Sequence, residues 1–176
     1  MLDEVFEFAI KAHKGAYRKG TKTPYILHPV EAATIAARIT NDTNVIAGAV
    51  LHDTIEDTNV TYNELKNIFG ELIADIVKSV SEDKSKFWEE RKSHTLNTLE
   101  NESIEVKIVV LSDKLSNMRS IYNDYSKLGD KLWERFNVQD KEKQGRYYKG
   151  IVKSLSALQN TYEWQELKNL TYKIFG

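Results

Sequence analysis

Residues 51–58 read LHDTIEDT and place His52, Asp53, Glu56 and Asp57 directly behind the apolar run Val45–Leu51. A segment apolar enough to be buried does not carry three carboxylates and an imidazole without partners, because an unpaired buried charge is costly. Wound as a helix at about 100° per residue, His52 and Glu56 project within about 40° of each other. Asp53 and Asp57 continue the same polar arc, while Leu51 and Ile55 fall on the opposite side. His52 and Asp53 can then reach one point at the edge of that arc, with Glu56 and Asp57 a turn further on. The bland alternative is a helix end fraying into a solvated acidic turn, the commoner fate of a charged cluster.

Two distant residues weigh against that alternative. His28 stands at a loop–helix junction beside apolar residues, where a lone histidine is ordinarily a capping residue. Asp113 lies in KIVVLSDKLSNM, the most apolar helical stretch of the chain, and a buried aspartate needs a cationic partner. Two imidazoles and two carboxylates suit one divalent ion with positions left open for water, such as manganese, iron or zinc. The chain has no cysteine, so thiolate sites, disulfides and cysteine nucleophiles are excluded. Sulfur-free ligation favours Mn²⁺ over a structural Zn²⁺. A bound ion brings water toward a neutral pKa, and a nearby carboxylate that is not a ligand can take its proton.

The elements that must position these residues are helical almost throughout. Apolar spacing predicts a first helix ending near Gly15, then a loop over 16–27 containing Gly20 and Pro24. His28-Pro29 opens a second helix with proline at its first position, and that helix stops at Thr40–Thr43. A third helix is expected over Asn44–Glu56. A fourth starts at the capping-box spelling Thr61-Tyr62-Asn63-Glu64 and ends around Phe69-Gly70, followed by ELIADIVKSV. Helices are also predicted over Trp88–Glu100, Ile104–Tyr125 and Arg146–Phe175, with 129–145 as a lid or irregular connection. No sustained period-2 alternation marks a strand, so the fold class is all-α and residues 1–176 form a single domain.

The same words resemble a known family. His28, then His52-Asp53, then Asp113 is similar to the His…His-Asp…Asp metal site of the HD superfamily of phosphohydrolases, a helical bundle. RKGTKTPYILHP, LHDTIEDT, SEDKSKFWEERK and LSDKLSNMRS resemble, in order, the motifs of the (p)ppGpp hydrolase domain of the RelA/SpoT family and of the stand-alone small alarmone hydrolases. The resemblance runs from about Ala12 to Arg119. It implies hydrolysis of guanosine 3′,5′-bis(diphosphate) at the 3′-pyrophosphate. It implies His28, His52, Asp53 and Asp113 as metal ligands and Glu56 and Asp57 as the acidic pair that orients and deprotonates water. Arg18, Lys19, Lys92 and Asn117 would bind substrate, and Tyr147 or Tyr148 is the candidate for contact with the nucleotide's base or leaving group. Ser112 departs from the family's usual alanine, and WERFNVQDKEKQGRYY does not align with its nucleotide-binding tyrosine region. Alternatives are an HD phosphohydrolase on another nucleotide, such as the 2′-phosphate of NADPH, or a nucleotide sensor that does no chemistry.

Composition narrows the partners. Apolar residues are 41% and charged residues 29% of 176 residues, with net charge −1, so no global basic field invites nucleic acid. No apolar run approaches the ~20 residues of a membrane span. A cytoplasmic protein with a small-molecule nucleotide substrate is expected, and a homo-oligomer is left open. Lys11–Lys22 holds five Lys/Arg and no acid; it faces either a polyphosphate or only solvent. His13 reads as a packing residue, His94 as solvent-facing, and Trp88, Trp133 and Trp164 as packing.

Overall fold

Helices form where apolar residues recur at helical spacing, and several stop at small or turn-forming residues, among them Thr40, Thr58, Gly70, Ser81 and Gly129. A computed structural model describes residues 1–176. It contains α1 (Leu2–Ala12), α2 (Leu27–Ile39), α3 (Thr43–Leu51), α4 (Thr54–Asp57), α5 (Tyr62–Phe69), α6 (Glu71–Val80), α7 (Trp88–Leu99), α8 (Ile104–Leu128), α9 (Lys141–Ser154) and α10 (Tyr162–Phe175). Short 3-10 turns cover Gly129–Arg135 and Ser156–Leu158. There is no strand; a lone antiparallel bridge between Tyr17 and Pro24 ties the loop before α2. The all-α expectation holds. Side-chain caps begin several helices: Asp42 accepts from Asn44 N–H, Thr61 from Glu64 N–H and Thr161 from Trp164 N–H. Each such cap contributes on the order of 1 kcal/mol.

Helix α8 is the axis of the molecule, packed by α2, α3, α6 and α10. Its apolar residues Leu111, Leu115 and Met118 are fully buried with Ile151 of α9 and Leu167 of α10. A second apolar cluster joins Val5 of α1, Val50 and Leu51 of α3, Leu65 of α5 and Ile73 of α6. Helix α3 serves both clusters, because Val45 and Ala49 face the first while Ala47 and Val50 face the second. Its small residues permit this. A Cβ at Gly48 would lie 2.6 Å from Ile76 Cγ2, so α6 packs where only glycine leaves room. His52 therefore leaves α3 from a rigid, close-packed base.

Four helix boundaries differ from expectation. The predicted helix 44–56 breaks after Leu51: Asp53 sits at φ −95°, ψ −2°, and a new short helix starts at Thr54. Thr54 Oγ1 donates to the Leu51 carbonyl at 2.7 Å, satisfying a helix-end acceptor that would otherwise be orphaned. Pro29 is the third residue of α2, not the first, which is still within the turn whose N–H groups have no helical partner. The segment 129–145 is partly helical: it opens with the 3-10 turn, and α9 already begins at Lys141, where Asp140 accepts from Lys143 N–H. The predicted helix 146–175 is interrupted between Ser154 and Tyr162, where Thr161 caps a new start.

Candidate active site

His28 comes from the first turn of α2 and His52 from the end of α3; both are buried. Their Nε2 atoms lie 3.2 Å apart. His52 Nδ1 is 2.8 Å from the Ala49 carbonyl, an acceptor only, so that nitrogen carries a proton. His28 Nδ1 is 2.8 Å from Ser116 Oγ. Asp113 of α8 reaches the same point, with Oδ1 at 3.2 Å from His28 Nε2 and 3.7 Å from His52 Nε2. Donor atoms of His28, His52 and Asp113 all lie within 4.8 Å of one another. Asp53, at the break between α3 and α4, adds Oδ2 at 3.0 Å from His52 Nε2 and 3.5 Å from His28 Nε2.

Four side chains with donor atoms suited to a metal thus converge, and their electrostatics bears on what could sit among them. Burial pushes the His28 pKa down, while burial of His52 is outweighed by Asp53 and Asp113, which hold its imidazole well above the ordinary histidine value. Burial also opposes the Asp53 and Asp113 carboxylates, yet His52 keeps Asp53, and Lys114 with the two imidazoles keeps Asp113, below the usual range. Two carboxylates set against two imidazoles make the centre favour positive charge. A divalent cation would supply that charge, and nitrogen and oxygen donors suit it. The donor set fits a divalent metal.

The second acidic pair stands beside this centre. Glu56 Oε2 accepts from the Glu82 backbone N–H at 3.0 Å, and burial pushes the Glu56 pKa up. Asp57 pairs with Lys84, whose Nζ is also 3.8 Å from Glu56 Oε1. Tyr25 Oη is placed between the two halves of LHDTIEDT, 2.5 Å from Asp53 Oδ2 and 3.1 Å from Asp57 Oδ2. Burial and those carboxylates push the Tyr25 pKa far up, so it remains a donor.

Two cavities adjoin across Arg91 and Lys114, and the larger reaches the centre at His52 and Asp113. The larger, about 690 Å³, is lined by His52, Glu56 and Asp113 and by the segment Ser81–Lys86 between α6 and α7. The smaller, about 330 Å³, is lined by Arg18, Lys19, Lys92, Asn117, Tyr147 and Tyr148 among others. Arg91 and Lys114 line both. All four residues expected to bind substrate therefore share one cavity. Arg18 donates to Asn117 Oδ1 at 2.8 Å, and Asn117 Nδ2 donates to Asp113 Oδ1. Lys19 pairs with Asn137. Lys92 is not a free cation: it lies 2.7 Å from Glu82 and 4.8 Å from the Tyr147 ring. Arg91 Nε and the Tyr147 hydroxyl are buried without any partner. Buried donors are normally satisfied, and a polar ligand in the smaller cavity would satisfy these. Of the basic run, only Arg18 and Lys19 line it, and Lys11, Lys14 and Lys22 are exposed.

The arrangement has relatives. Residues 5–136 match the sequence profile of the HD domain. The chain belongs to the HD-domain family. A zebrafish (Danio rerio) protein named guanosine-3′,5′-bis(diphosphate) 3′-pyrophosphohydrolase MESH1 is 38% identical over 144 residues, 80% of this chain and 77% of the zebrafish one. The human protein of that name is 32% identical over 91% of this chain and 86% of its own. The Escherichia coli bifunctional (p)ppGpp synthase/hydrolase SpoT is 35% identical over 126 residues, which is 68% of this chain and 18% of SpoT. A solved structure described as a metazoan ortholog of SpoT that hydrolyzes ppGpp superposes with TM-score 0.82 over 97% of this chain and 93% of its own, at 23% identity. The Listeria monocytogenes protein lmo0812 superposes with TM-score 0.78 at 31% identity, over 84% of this chain and 98% of its own.

Within this HD domain, sequence reasoning located the convergent histidines and aspartates but overlooked several neighbours. Tyr25 was within reach, since it stands three residues before His28 in PYILHP. Glu82 and Lys84 lie in the singled-out word SEDKSK, and Lys114 adjoins Asp113, with Nζ 2.7 Å from Asp113 Oδ2. Nothing in the sequence marks Arg91 as a wall of both cavities. Ser112, the departure from the family's alanine, is buried and donates to the Ile108 carbonyl at 2.8 Å, so it stays within α8 and takes no place in the site. His13 is buried against Tyr25, whereas His94 is exposed. Trp133 and Trp164 are buried in the larger core.

Proposed function

We propose that this chain hydrolyses guanosine 3′,5′-bis(diphosphate) and its pentaphosphate form at the 3′-pyrophosphate, giving GDP or GTP and pyrophosphate. The observation that carries the reading is the convergence of His28, His52, Asp53 and Asp113 on the wall of one cavity that adjoins a second, walled by Arg18, Lys19 and Asn117. Relatives that cover most of the chain are named for this activity. The four residues would hold one divalent ion, with Mn²⁺ the choice that N/O ligation favours. Once bound, the ion supplies Lewis acidity toward the phosphoryl oxygens and toward water.

The remaining work falls to the protein. Glu56 takes a proton from the attacking water; its raised pKa brings it nearer the working pH than an ordinary glutamate. Asp57, held by Lys84 and Tyr25, orients that water. Arg18 and Lys19 meet the phosphates and Asn117 the ribose or base, with Tyr147 and Lys92 closing the far wall. The bond between phosphorus and the ribose 3′-oxygen breaks, and that oxygen takes up a proton as it leaves. The whole of 1–176 acts as one domain in a cytoplasmic setting, which the absence of cysteine supports. The test is product analysis over a nucleotide panel that includes ppGpp, pppGpp and NADPH. Pyrophosphate released from ppGpp is expected. Orthophosphate released only from NADPH, or no release from any nucleotide, would overturn the reading.

A further inference from the structure

The two metal-facing imidazoles are oriented by different means. His52 leans on a backbone carbonyl, Ala49, which no side-chain substitution removes. His28 leans on Ser116 Oγ at 2.8 Å, and Ser116 Oγ is itself 2.8 Å from Glu31 Oε2. A carboxylate only accepts, so Ser116 spends its single proton on Glu31 and its oxygen is left to accept. The proton between Ser116 and His28 therefore belongs to His28 Nδ1, and Nε2 presents its lone pair to the centre. Glu31 is held in turn: Arg119 Nη1 is 3.0 Å from Glu31 Oε1, and Arg119 grips Glu166 of α10 through Nε at 2.7 Å and Nη2 at 2.6 Å. If Glu31 is removed, the Ser116 hydroxyl is free to turn and donate to Nδ1. The imidazole proton then moves to Nε2 and blocks the nitrogen a metal needs.

We propose that Ser116 and Glu31, anchored through Arg119 to Glu166, are positioning residues that lock His28 in its Nδ1–H tautomer and so set the metal affinity of the site. The inference rests on the reading of His28 as a metal ligand. It makes the C-terminal helix α10 part of the support of the metal centre, although Glu166 touches no ligand.

The test is Mn²⁺ titration into metal-stripped protein by calorimetry, paired with ¹⁵N NMR of the imidazole nitrogens. Ser116→Ala is expected to weaken Mn²⁺ binding by about tenfold, the lower end of the usual effect of losing a partner that orients a ligand. In the metal-free protein it should also give His28 a mixed tautomer while His52 keeps its Nδ1–H. Ser116→Thr restores the hydroxyl and should restore both readings. Glu31→Ala changes a half-exposed residue and is expected to move both in the same direction while the metal-free protein melts as the parent does. Wild-type affinity and an unchanged His28 tautomer in Glu31→Ala and Ser116→Ala would overturn the proposal, and Glu31→Ala decides alone if Ser116→Ala does not fold. A His28→Ala control separates the two layers. If it binds Mn²⁺ like the parent, His28 is no ligand and both readings fall; if it loses Mn²⁺ while Ser116→Ala and Glu31→Ala do not, only the relay falls. No arm uses a nucleotide, so the result stands apart from the identity of the substrate.

Discussion

Replacing Glu56 with Gln separates the two halves of LHDTIEDT. The amide keeps an acceptor for the Glu82 backbone N–H, now at 3.0 Å. What it gives up is the approach of Lys84 Nζ at 3.8 Å. That lysine is half-exposed, and such pairs contribute at most about 1 kcal/mol. Burial also raises the Glu56 pKa in the folded protein. The folded state then binds its proton more tightly than the unfolded chain does, and stability falls as pH rises from the unfolded value through the folded one. A neutral amide escapes that loss, which offsets the missing pair. Glu56→Gln should therefore melt within about 2–4 °C of the parent, the shift expected for ~1 kcal/mol in a chain of this size. Its metal content should be unchanged, because none of the four convergent residues is altered. Turnover should fall by about 10²–10⁴, the worth of a positioned general base, or roughly 3–5 kcal/mol of barrier. In the parent the rate should rise with pH as Glu56 loses its proton, at a pH above the ordinary glutamate range, and that limb should be missing from the residual activity of Glu56→Gln. Elemental analysis, thermal melting and initial rates of pyrophosphate release decide it. Loss of metal would make Glu56 a ligand, and full activity would place the base elsewhere.

Other perturbations follow from the same geometry. His52→Ala should lose the metal, and with it the rise in melting temperature that added Mn²⁺ gives the parent; an unchanged Mn²⁺-dependent shift would refute this. Arg18→Ala combined with Lys19→Ala should weaken nucleotide binding and leave metal content unchanged, since both line the smaller cavity and neither pairs with His28, His52, Asp53 or Asp113; equal KM and kcat in the double variant would show the loop to be solvated surface. Gly48→Ala should destabilise by about 1–2 kcal/mol in urea unfolding, because overpacking against Ile76 costs about 1–3 kcal/mol and the gain in helix propensity returns at most ~1. A more stable Gly48→Ala would mean that α3 and α6 do not meet as closely as described.

The sequence by itself determined the all-α class, most helix starts and which ionisable residues were candidates for one site. Helix periodicity and caps are local: Thr61 and Ser103 accept from N–H groups three residues on, so their effect is written in adjacent letters. Words such as HDTIEDT and SDKLSN singled out His52, Asp53 and Asp113 without any geometry, and the fold brings those three together with His28. Tertiary structure decided what spacing could not express. The angular argument for LHDTIEDT presumed a continuous helix, yet the chain breaks between His52 and Thr54, and Glu56 and Asp57 are aimed by the new helix α4 and by Glu82 and Lys84. The resemblance offers Lys92 as a substrate contact, but only the fold shows that it shares the Glu82 carboxylate, ten residues away, with Arg91. The support of His28 by Ser116, Glu31, Arg119 and Glu166 draws on α2, α8 and α10. Hydrogen bonds across 85–88 residues leave no periodic trace. They exist only because burial of the α2, α8 and α10 apolar faces brings those helices together, and it is that packing that decides which buried polar groups meet.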